Sequence, residues 1–239
     1  MIAVGLFSPF VGAESFSVGD VNLELSDEMS GERVSNVIKV FLLLTVLSLA
    51  PSILIVMTSF TRIILVLSML RQALGMQQTP PNTVLISLAL FLTLFSMMPV
   101  LKEANEIAYQ PLANNEIGLE EAFVKGVEPF KVFMLKHTRE QDLSLMLELS
   151  DQKMPTKVEN VQLSSLIPAF MISELITAFK IGFMIFLPFL LVDIVVSSLL
   201  MAMGMMMVPP MMMSLPIKIL LFVLIDGWNL VVKSLMGSF

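Results

Sequence analysis

The chain has 239 residues, of which 56% are hydrophobic and only 14% charged, and it carries a formal net charge of −6 and no cysteine. A typical soluble domain carries roughly 25% charged residues, so the excess apolar surface must face lipid, partner subunits or both. The acidic balance argues against nucleic acid as a partner because phosphate binding needs a basic face, and the lack of cysteine excludes disulfides and thiolate metal sites.

The N-terminal residues divide into an apolar start and an acidic stretch. Residues 1–13 end in a Val-Gly-Ala step but lack a basic beginning, which fits either the remnant of a signal peptide cut after Ala13 or an apolar tag without fixed structure. Residues 14–34 are acidic and polar with little periodicity. This composition predicts a flexible linker.

Two apolar blocks follow, and we expect residues 35–101 to form a first apolar helical hairpin. The blocks cover residues 40–61 and 83–101. Each is about 20 residues long, which is the length that a helix needs to cross a bilayer. The connecting turn holds Arg62 and Arg71 and no acid, so we expect both arginines to face the cytoplasm or a partner.

Residues 102–160 are polar and amphipathic. Apolar residues recur there at helical spacing, which predicts two or three amphipathic helices. Their apolar faces are candidates for subunit contact, and a hairpin that caps the membrane part is the alternative. The only histidine, His137, lies in this segment, where we expect it to be solvated.

The C-terminal part, residues 161–239, is expected to form a second apolar helical region with blocks at 163–203 and 215–232. Interruptions of apolar helices are tolerated where the backbone packs on protein rather than lipid. The sequence therefore predicts an all-α fold of membrane-type broken helices and helical hairpins that pack in an assembly. The prolines expected to break the apolar blocks are Pro51, Pro99, Pro168, Pro188 and Pro216.

The loop between the last two blocks is rich in methionine. Eight of the thirteen residues in 201–213 are methionine, and the Pro209–Pro210 pair within it predicts a break in the helix. Methionine is unbranched and polarizable, so a cluster of it forms a soft, deformable surface. An apolar, pliable loop between membrane-type helices indicates a seal.

Five charged residues lie within the last two apolar blocks. An ionised group at the centre of a bilayer costs about 2.5–3.5 kcal/mol on insertion scales. Neither Glu174 and Lys180 nor Lys218 and Asp226 lie three or four residues apart, so we expect partners on other helices or other chains. Lys218 is expected to pair with a carboxylate of a neighbouring subunit, and snorkelling to the membrane interface is the alternative. Glu174, Lys180 and Asp193 are expected to be similar inter-subunit charges.

Several long runs resemble the FliP family of flagellar type III export-gate proteins and their injectisome counterparts. The first covers residues 57–100, and PAFMISELITAFKIGF (168–183) and PFLLVDIVVSSLLMAMGM (188–205) resemble the two signatures of the family. The tail MMVPPMMMSLPIKILLFVLIDGWNLVVKSL agrees as well. The resemblance extends over residues 35–239.

This resemblance implies a pore-forming subunit of the flagellar export gate. Several copies would assemble with FliR and FliQ, and with FlhB as a further partner, into a ring-like helical oligomer that sits largely above the bilayer plane. We expect it in the bacterial inner membrane, at the flagellar basal body, in contact with lipid and projecting toward the periplasm, where it passes unfolded flagellar subunits. The gasket of the family falls here on Met205, Met206 and Met207, and the methionine cluster extends it to Met211, Met212 and Met213.

Two other functions stay open on the residues alone. The charges in apolar segments would suit a proton-coupled small-solute transporter. The methionines would suit a Cu(I)-handling membrane protein, because thioethers are soft ligands. The sequence shows no Ser-His-Asp set, phosphate-binding loop or metal-ligand spacing, so we predict a non-enzymatic protein without a cofactor.

Overall fold

The computed structural model describes residues 17–18, 21–22, 31–150, 161–205 and 209–239. Helices account for nearly all of them, which confirms the predicted all-α fold class. The chain divides into two compact units, Met1–Ser52 and Ile53–Phe239, and all candidate site residues belong to the second.

The first unit contains a small antiparallel pair of strands and most of the first helix. The strands β1 (Ser17–Val18) and β2 (Val21–Asn22) have two residues each, and helix α1 spans Gly31–Val56. Both strands fall in the stretch predicted as a linker. The suggested signal-peptide remnant, residues 1–13, lies outside the described residues.

In the residues that the structure describes, the second unit is built from eight further α-helices. Its first helical hairpin consists of α2 (Phe60–Ala73) and α3 (Asn82–Ala104), and a π-helical segment (Asn105–Tyr109) and α4 (Gln110–Ala113) continue directly from α3. The polar segment forms α5 (Leu119–His137) and α6 (Glu140–Leu149), and residues 151–160 lie outside the described residues. The last three helices are α7 (Leu163–Ala202), α8 (Pro210–Leu224) and α9 (Gly227–Met236).

The main core forms where α2 packs against α7. Gly182 of α7 allows a close approach, because a Cβ atom at this position would lie 2.3 Å from the Sδ atom of Met69. Apolar residues at i, i+3, i+4 and i+7 form one face of a helix, and α2 buries such a face. Its members are Ile63, Val66, Leu67, Leu70 and Ala73.

A second core joins the polar hairpin to the apolar helices. Met97 of α3, Phe133 and Met134 of α5 and Phe170 of α7 are buried in one cluster. Phe133 and Phe170 meet edge to face with ring centroids 6.1 Å apart, a favoured geometry for aromatic pairs. The α5–α6 hairpin is therefore docked on the apolar helices of its own chain.

The prolines behave in two ways. The break predicted at Pro209–Pro210 is confirmed, since α7 ends at Ala202 and α8 begins at Pro210. The breaks predicted elsewhere are wrong at all five positions, because a helix can lose one backbone hydrogen bond at a proline and continue. These helix-internal residues are Pro51, Pro99, Pro168, Pro188 and Pro216.

Two helices of the described residues are long and apolar enough to cross a membrane, Asn82–Ala113 and Leu163–Ala202. The α8–α9 pair adds a third candidate only if its two helices, bent by 66°, count as one span. Forty residues of α7 extend for about 60 Å, which is twice the roughly 30 Å of a hydrocarbon core. Unless α7 is strongly tilted, only part of it can lie within the hydrocarbon.

Candidate functional site: the methionine-rich tip and its supports

The tip of the α7–α8 hairpin has both ends defined by backbone geometry. Gly204 takes a left-handed φ of +74°. Its N–H donates to the carbonyl of Met201 at 3.0 Å, and the N–H of Met205 donates to the carbonyl of Leu200 at 3.0 Å. These two bonds form a Schellman motif, which commonly ends a helix at a glycine. Pro210 then begins α8, at a position where the missing N–H has no helical partner to lose.

The described methionine side chains of the tip are exposed. The exposed fraction is 43% for Met205 and between 49% and 69% for Met211, Met212 and Met213. The other two predicted gasket residues, Met206 and Met207, lie outside the described residues. The exposed thioethers form a soft apolar surface that is available to groups outside this chain.

A polar clamp holds the hairpin below the tip. Lys218 Nζ of α8 donates to Asp193 Oδ2 of α7 at 2.6 Å and to the carbonyl of Ala73 at 3.0 Å. Ser214 Oγ donates to the other carboxylate oxygen of Asp193 at 2.6 Å. Because Ala73 ends α2, its carbonyl is one of those that lack a helical partner and favour a cation. The clamp therefore joins α7, α8 and the C-terminal end of α2.

The inter-subunit partner expected for Lys218 is corrected by this clamp. Its carboxylate comes from Asp193 of the same chain, and the Lys218 side chain is only 4% exposed. The two residues meet because α7 and α8 pack against each other. Spacing within a single helix cannot reveal such a pair, since it reports only neighbours three or four residues apart.

A second buried ion pair joins α2 to α7. Arg62 Nε donates to Glu174 Oε2 at 2.8 Å, and Nη2 donates to Oε1, which makes the pair bidentate. Arg62 Nη1 donates to the carbonyl of Ser238 at 2.7 Å. The ring of Phe239 lies with its centroid 4.1 Å from Arg62 Cζ, within the range of a cation–π contact. Neither charged side chain is more than 3% exposed.

The expectations for Arg62 and Glu174 are corrected in the same way. Arg62 is buried and paired within the chain, and Glu174 is its partner. Sequence reasoning missed the structural role of Arg62 because it lies at the edge of an apolar block, where positive charge has an ordinary explanation. The sequence signal that could have revealed this role is the presence of one isolated base and one isolated acid in two separate apolar segments, since each needs a partner.

A third polar contact fixes the start of α6 on α7. Asp142 accepts hydrogen bonds from Arg139 Nε at 2.8 Å and from Ser173 Oγ at 2.5 Å. The backbone N–H of Arg139 donates to the same Ser173 hydroxyl at 3.0 Å. The hydrogen bond from the Arg139 guanidinium lowers the pKa of Asp142 and outweighs the opposing effect of burial, with a smaller contribution from Ser173.

Two of the charges singled out from sequence stay at the surface. Lys180 is exposed, and it makes no ion pair among the described residues. Asp226 is exposed, takes a left-handed φ of 50° ahead of α9 and accepts a hydrogen bond from Asn229 Nδ2 at 3.0 Å. Lys180 is therefore the charge of α7 that has no ion-pair contact within the described part of the chain.

Arg71 and His137 both have contacts within the chain. Arg71 Nη1 donates to Asn82 Oδ1 at 2.6 Å and so fastens the turn between α2 and α3. His137 was expected to be solvated and is half-buried: its ring lies 4.5 Å from that of Phe133 and its Nε2 lies 3.2 Å from the carbonyl of Phe239. Within the described part of the chain, no group of three or more His, Asp or Glu residues could hold a metal ion.

These features define a class of membrane-type helical protein whose buried charges pair across helices and whose methionine-rich hairpin tip is open to outside contact. A sequence model of the FliP family matches residues 43–235. The chain therefore belongs to the FliP family, which confirms the resemblance.

Individual relatives are similar to this chain in sequence over most of their length. The Flagellar biosynthetic protein FliP of Bacillus subtilis is 58% identical over 208 residues, which cover 87% of this chain and 94% of that protein. The protein of the same name from Rhizobium meliloti is 46% identical over 241 residues, covering 100% and 97%. That of Aquifex aeolicus is 52% identical over 207 residues, covering 84% and 85%.

Proposed function

We propose that this chain is a pore-forming subunit of the flagellar type III protein export gate and that its methionine-rich tip is the gasket of the pore. Membership of the FliP family supports the flagellar role, since relatives along nearly the whole chain bear the name Flagellar biosynthetic protein FliP. The observation that carries the gasket is the exposure of Met205 and Met211–Met213 on a hairpin tip.

The supports of the tip favour a gasket over an ordinary mobile loop. Asp193 lies ten residues before Met203 in α7, about 15 Å along the helix. On the α7 side the clamp thus lies two to three turns below the tip, and on the α8 side it begins at Ser214, directly after Met213. A firmly held base with a deformable apolar end is the arrangement that a seal requires.

The chemistry of methionine accounts for the two states of such a seal. Thioether side chains from several copies can meet across a narrow pore through dispersion contacts, which are individually weak and undirected. The same contacts can re-form around a passing unfolded chain of any sequence. An apolar constriction also stops ions by dewetting. The closed pore would therefore block ions, and the open pore would accept a chain of any sequence.

The exposed apolar faces of α3 and α7 support an assembly of several chains. Large exposed apolar patches mark protein or membrane contacts, and the partners proposed are further copies of this chain, FliR, FliQ, FlhB and membrane lipid in a ring-like oligomer. The proposed location is the bacterial inner membrane at the flagellar basal body, with the assembly projecting toward the periplasm. Exposed residues on these faces include Phe91, Phe95, Phe183, Leu187 and Leu191.

Replacement of Met205, Met206 and Met207 by alanine tests the gasket. Alanine removes the long side chains, so ion conductance of membranes that contain the assembled complex should rise while the complex still forms. Replacement of the same three residues by leucine is the matched control, because leucine keeps apolar bulk and should leave the closed pore much less leaky. Wild-type conductance in the alanine variant would reject the gasket.

The two rival functions receive no support from the site. Three of the five charges that suggested a proton-coupled transporter, Glu174, Asp193 and Lys218, form ion pairs within the chain and so have a structural role. Membership of the FliP family favours the export role over a Cu(I)-handling protein. An enzymatic role is not proposed.

A further inference from the structure

The tail, residues 236–239, packs on the interior of the second unit. Arg62 Nη1 of α2 donates to the carbonyl of Ser238 at 2.7 Å and to its Oγ at 3.0 Å. The ring of Phe239 lies against the guanidinium of Arg62, with its centroid 4.1 Å from Cζ, and packs against both apolar cores. The tail therefore joins the two cores next to the buried Arg62–Glu174 pair.

His137 of α5 lies between two main-chain oxygen atoms, of which one belongs to the tail. Its Nδ1 lies 2.8 Å from the carbonyl oxygen of Phe133, and its Nε2 lies 3.2 Å from the main-chain oxygen of Phe239. A main-chain oxygen accepts a hydrogen bond and cannot donate one. Both contacts are therefore hydrogen bonds only when both ring nitrogens carry a proton.

The charge of His137 and the docking of the tail are linked for this reason. A neutral imidazole donates from one nitrogen and leaves a lone pair on the other, whereas the imidazolium donates from both. The Phe133 oxygen is present whether the tail is docked or not, but the Phe239 oxygen is present only when it is docked. Protonation and docking therefore favour each other. Docking should be firmest in acid and should weaken as the pH rises from about 5 to about 8, the range in which histidine loses its charge.

The other charged groups on the helices around His137 offset one another. The charge of Glu174 acts on His137, and Glu174 is paired with Arg62. An acid and a base from two further helices line one groove with His137, and α6 contributes an acid that is paired with a base. The oxygen of Phe239 is thus the group that distinguishes the docked from the released state. The two further sets are Glu103 of α3 with Lys136 of α5, and Asp142 with Arg139 at α6.

We propose that His137 is a proton-controlled latch for the tail: the charged ring holds Phe239 in place, and loss of the proton releases it. An open groove of about 420 Å³ is lined by His137, Met236 and Phe239, so protons from solvent can reach the ring. Because the tail supplies the acceptors of Arg62 Nη1, its release would also remove support from the ion pair that joins α2 to α7. The proposal goes beyond the export-gate function and holds whether or not the tip is a gasket.

Hydrogen exchange of the tail tests the latch, because it detects even rare local opening. The N–H groups of Gly237 and Ser238 donate to the carbonyls of Lys233 and Leu235. Their protection factors, which are corrected for the intrinsic effect of pH on exchange, are measured by mass spectrometry on the full-length chain. We expect a roughly tenfold fall in protection between about pH 5 and about pH 8, which corresponds to about one hydrogen bond to a charged group. The amides of α8 serve as the internal reference and should not change.

His137→Gln is the matched control, because glutamine keeps an N–H donor but does not change its charge in this range. Its tail should have the same protection at both pH values. Phe239→Ala leaves His137 in place and removes the ring that docks the tail, so protection should be low at both pH values. A wild-type tail whose protection does not vary with pH would overturn the proposal. So would a fall of the wild-type size that persists in His137→Gln or, if that variant does not fold, in Phe239→Ala.

Discussion

At the scale of single residues, Arg62 and Glu174 show what buried charges require between apolar helices. Each would be costly alone, because an unpaired ion in an apolar environment loses its hydration. The bidentate contact, the Ser238 carbonyl and the ring of Phe239 satisfy the guanidinium on several sides. A buried pair of this kind specifies which helices meet, and each partner depends on the other.

We predict that Arg62→Met lowers the free energy of unfolding by about 3–5 kcal/mol, because it leaves the Glu174 carboxylate buried without its partner. The double variant Arg62→Met/Glu174→Met should recover much of this loss, since no buried charge remains. Denaturant titration of the detergent-solubilised protein measures both. Glu121→Gln is the control, because the Glu121–Lys125 pair is exposed and its loss should cost only about 0.3–0.5 kcal/mol. Additive effects in the double variant would contradict this account of the pair.

Asp142 gives a second prediction at this scale, which concerns pH. The Arg139 guanidinium holds the pKa of Asp142 below its usual value, which is about 3.9 for an unperturbed aspartate. A carboxyl group with a lower pKa in the folded state stabilises the fold above that usual value and loses this effect as the pH falls through the folded pKa. The wild type should therefore exceed Asp142→Asn in melting temperature by a constant margin above about pH 5. That margin should shrink below about pH 4, and a margin that does not vary with pH would contradict the assignment.

At the scale of elements, sequence could predict the features that neighbouring residues encode and could not predict contacts between distant residues. The Pro209–Pro210 break is encoded within a few residues and is present. Helix α2, by contrast, occupies most of the stretch that the sequence predicted as the turn of the first hairpin. The pairing of Arg62 with Glu174 joins residues 112 positions apart, so it follows from how helices pack and not from any local spacing. The break predicted at Pro188 is wrong for the same reason, because packing on neighbouring helices outweighs the hydrogen bond that a proline removes.

The end of α7 gives a prediction at this scale. Gly204→Ala should destabilise the hairpin by about 1–2 kcal/mol, since a left-handed conformation costs a residue with a Cβ atom roughly this much. Gly204→Asn should be tolerated better, because asparagine is the next most common residue at this position of a Schellman motif. Denaturant titration and ion conductance of the assembled complex measure the effect.

The matched control for this prediction is Gly126→Ala. Gly126 lies inside α5, and a Cβ atom there would be 3.4 Å from the nearest heavy atom outside its own helix, Ala108 Cβ. Alanine at a helical position of this kind should be neutral or stabilising. Equal loss of stability in Gly204→Ala and Gly126→Ala would show that the left-handed turn does not control the tip.

At the scale of the whole molecule, the second unit combines a fixed interior with surfaces that need partners. Its ion pairs and apolar cores hold α2, α7 and α8 together within one chain. Its methionine tip and the apolar faces of α3 and α7 remain exposed. This division suits a subunit that folds around its own charges and then closes a pore only together with its neighbours.

In the proposed pore, the methionine-rich tips of all copies meet on one axis. A thiol at the tip tests this arrangement most directly. Because the chain has no cysteine, Met205→Cys introduces a single thiol into each copy of the assembled complex. We predict disulfides between neighbouring copies under mild oxidation, and a block of protein export by a bulky thiol reagent. Glu121→Cys, an exposed position of α5, should give neither result. A Met205→Cys complex that assembles and exports normally, while its introduced thiol neither cross-links nor responds to the reagent, would contradict the gasket.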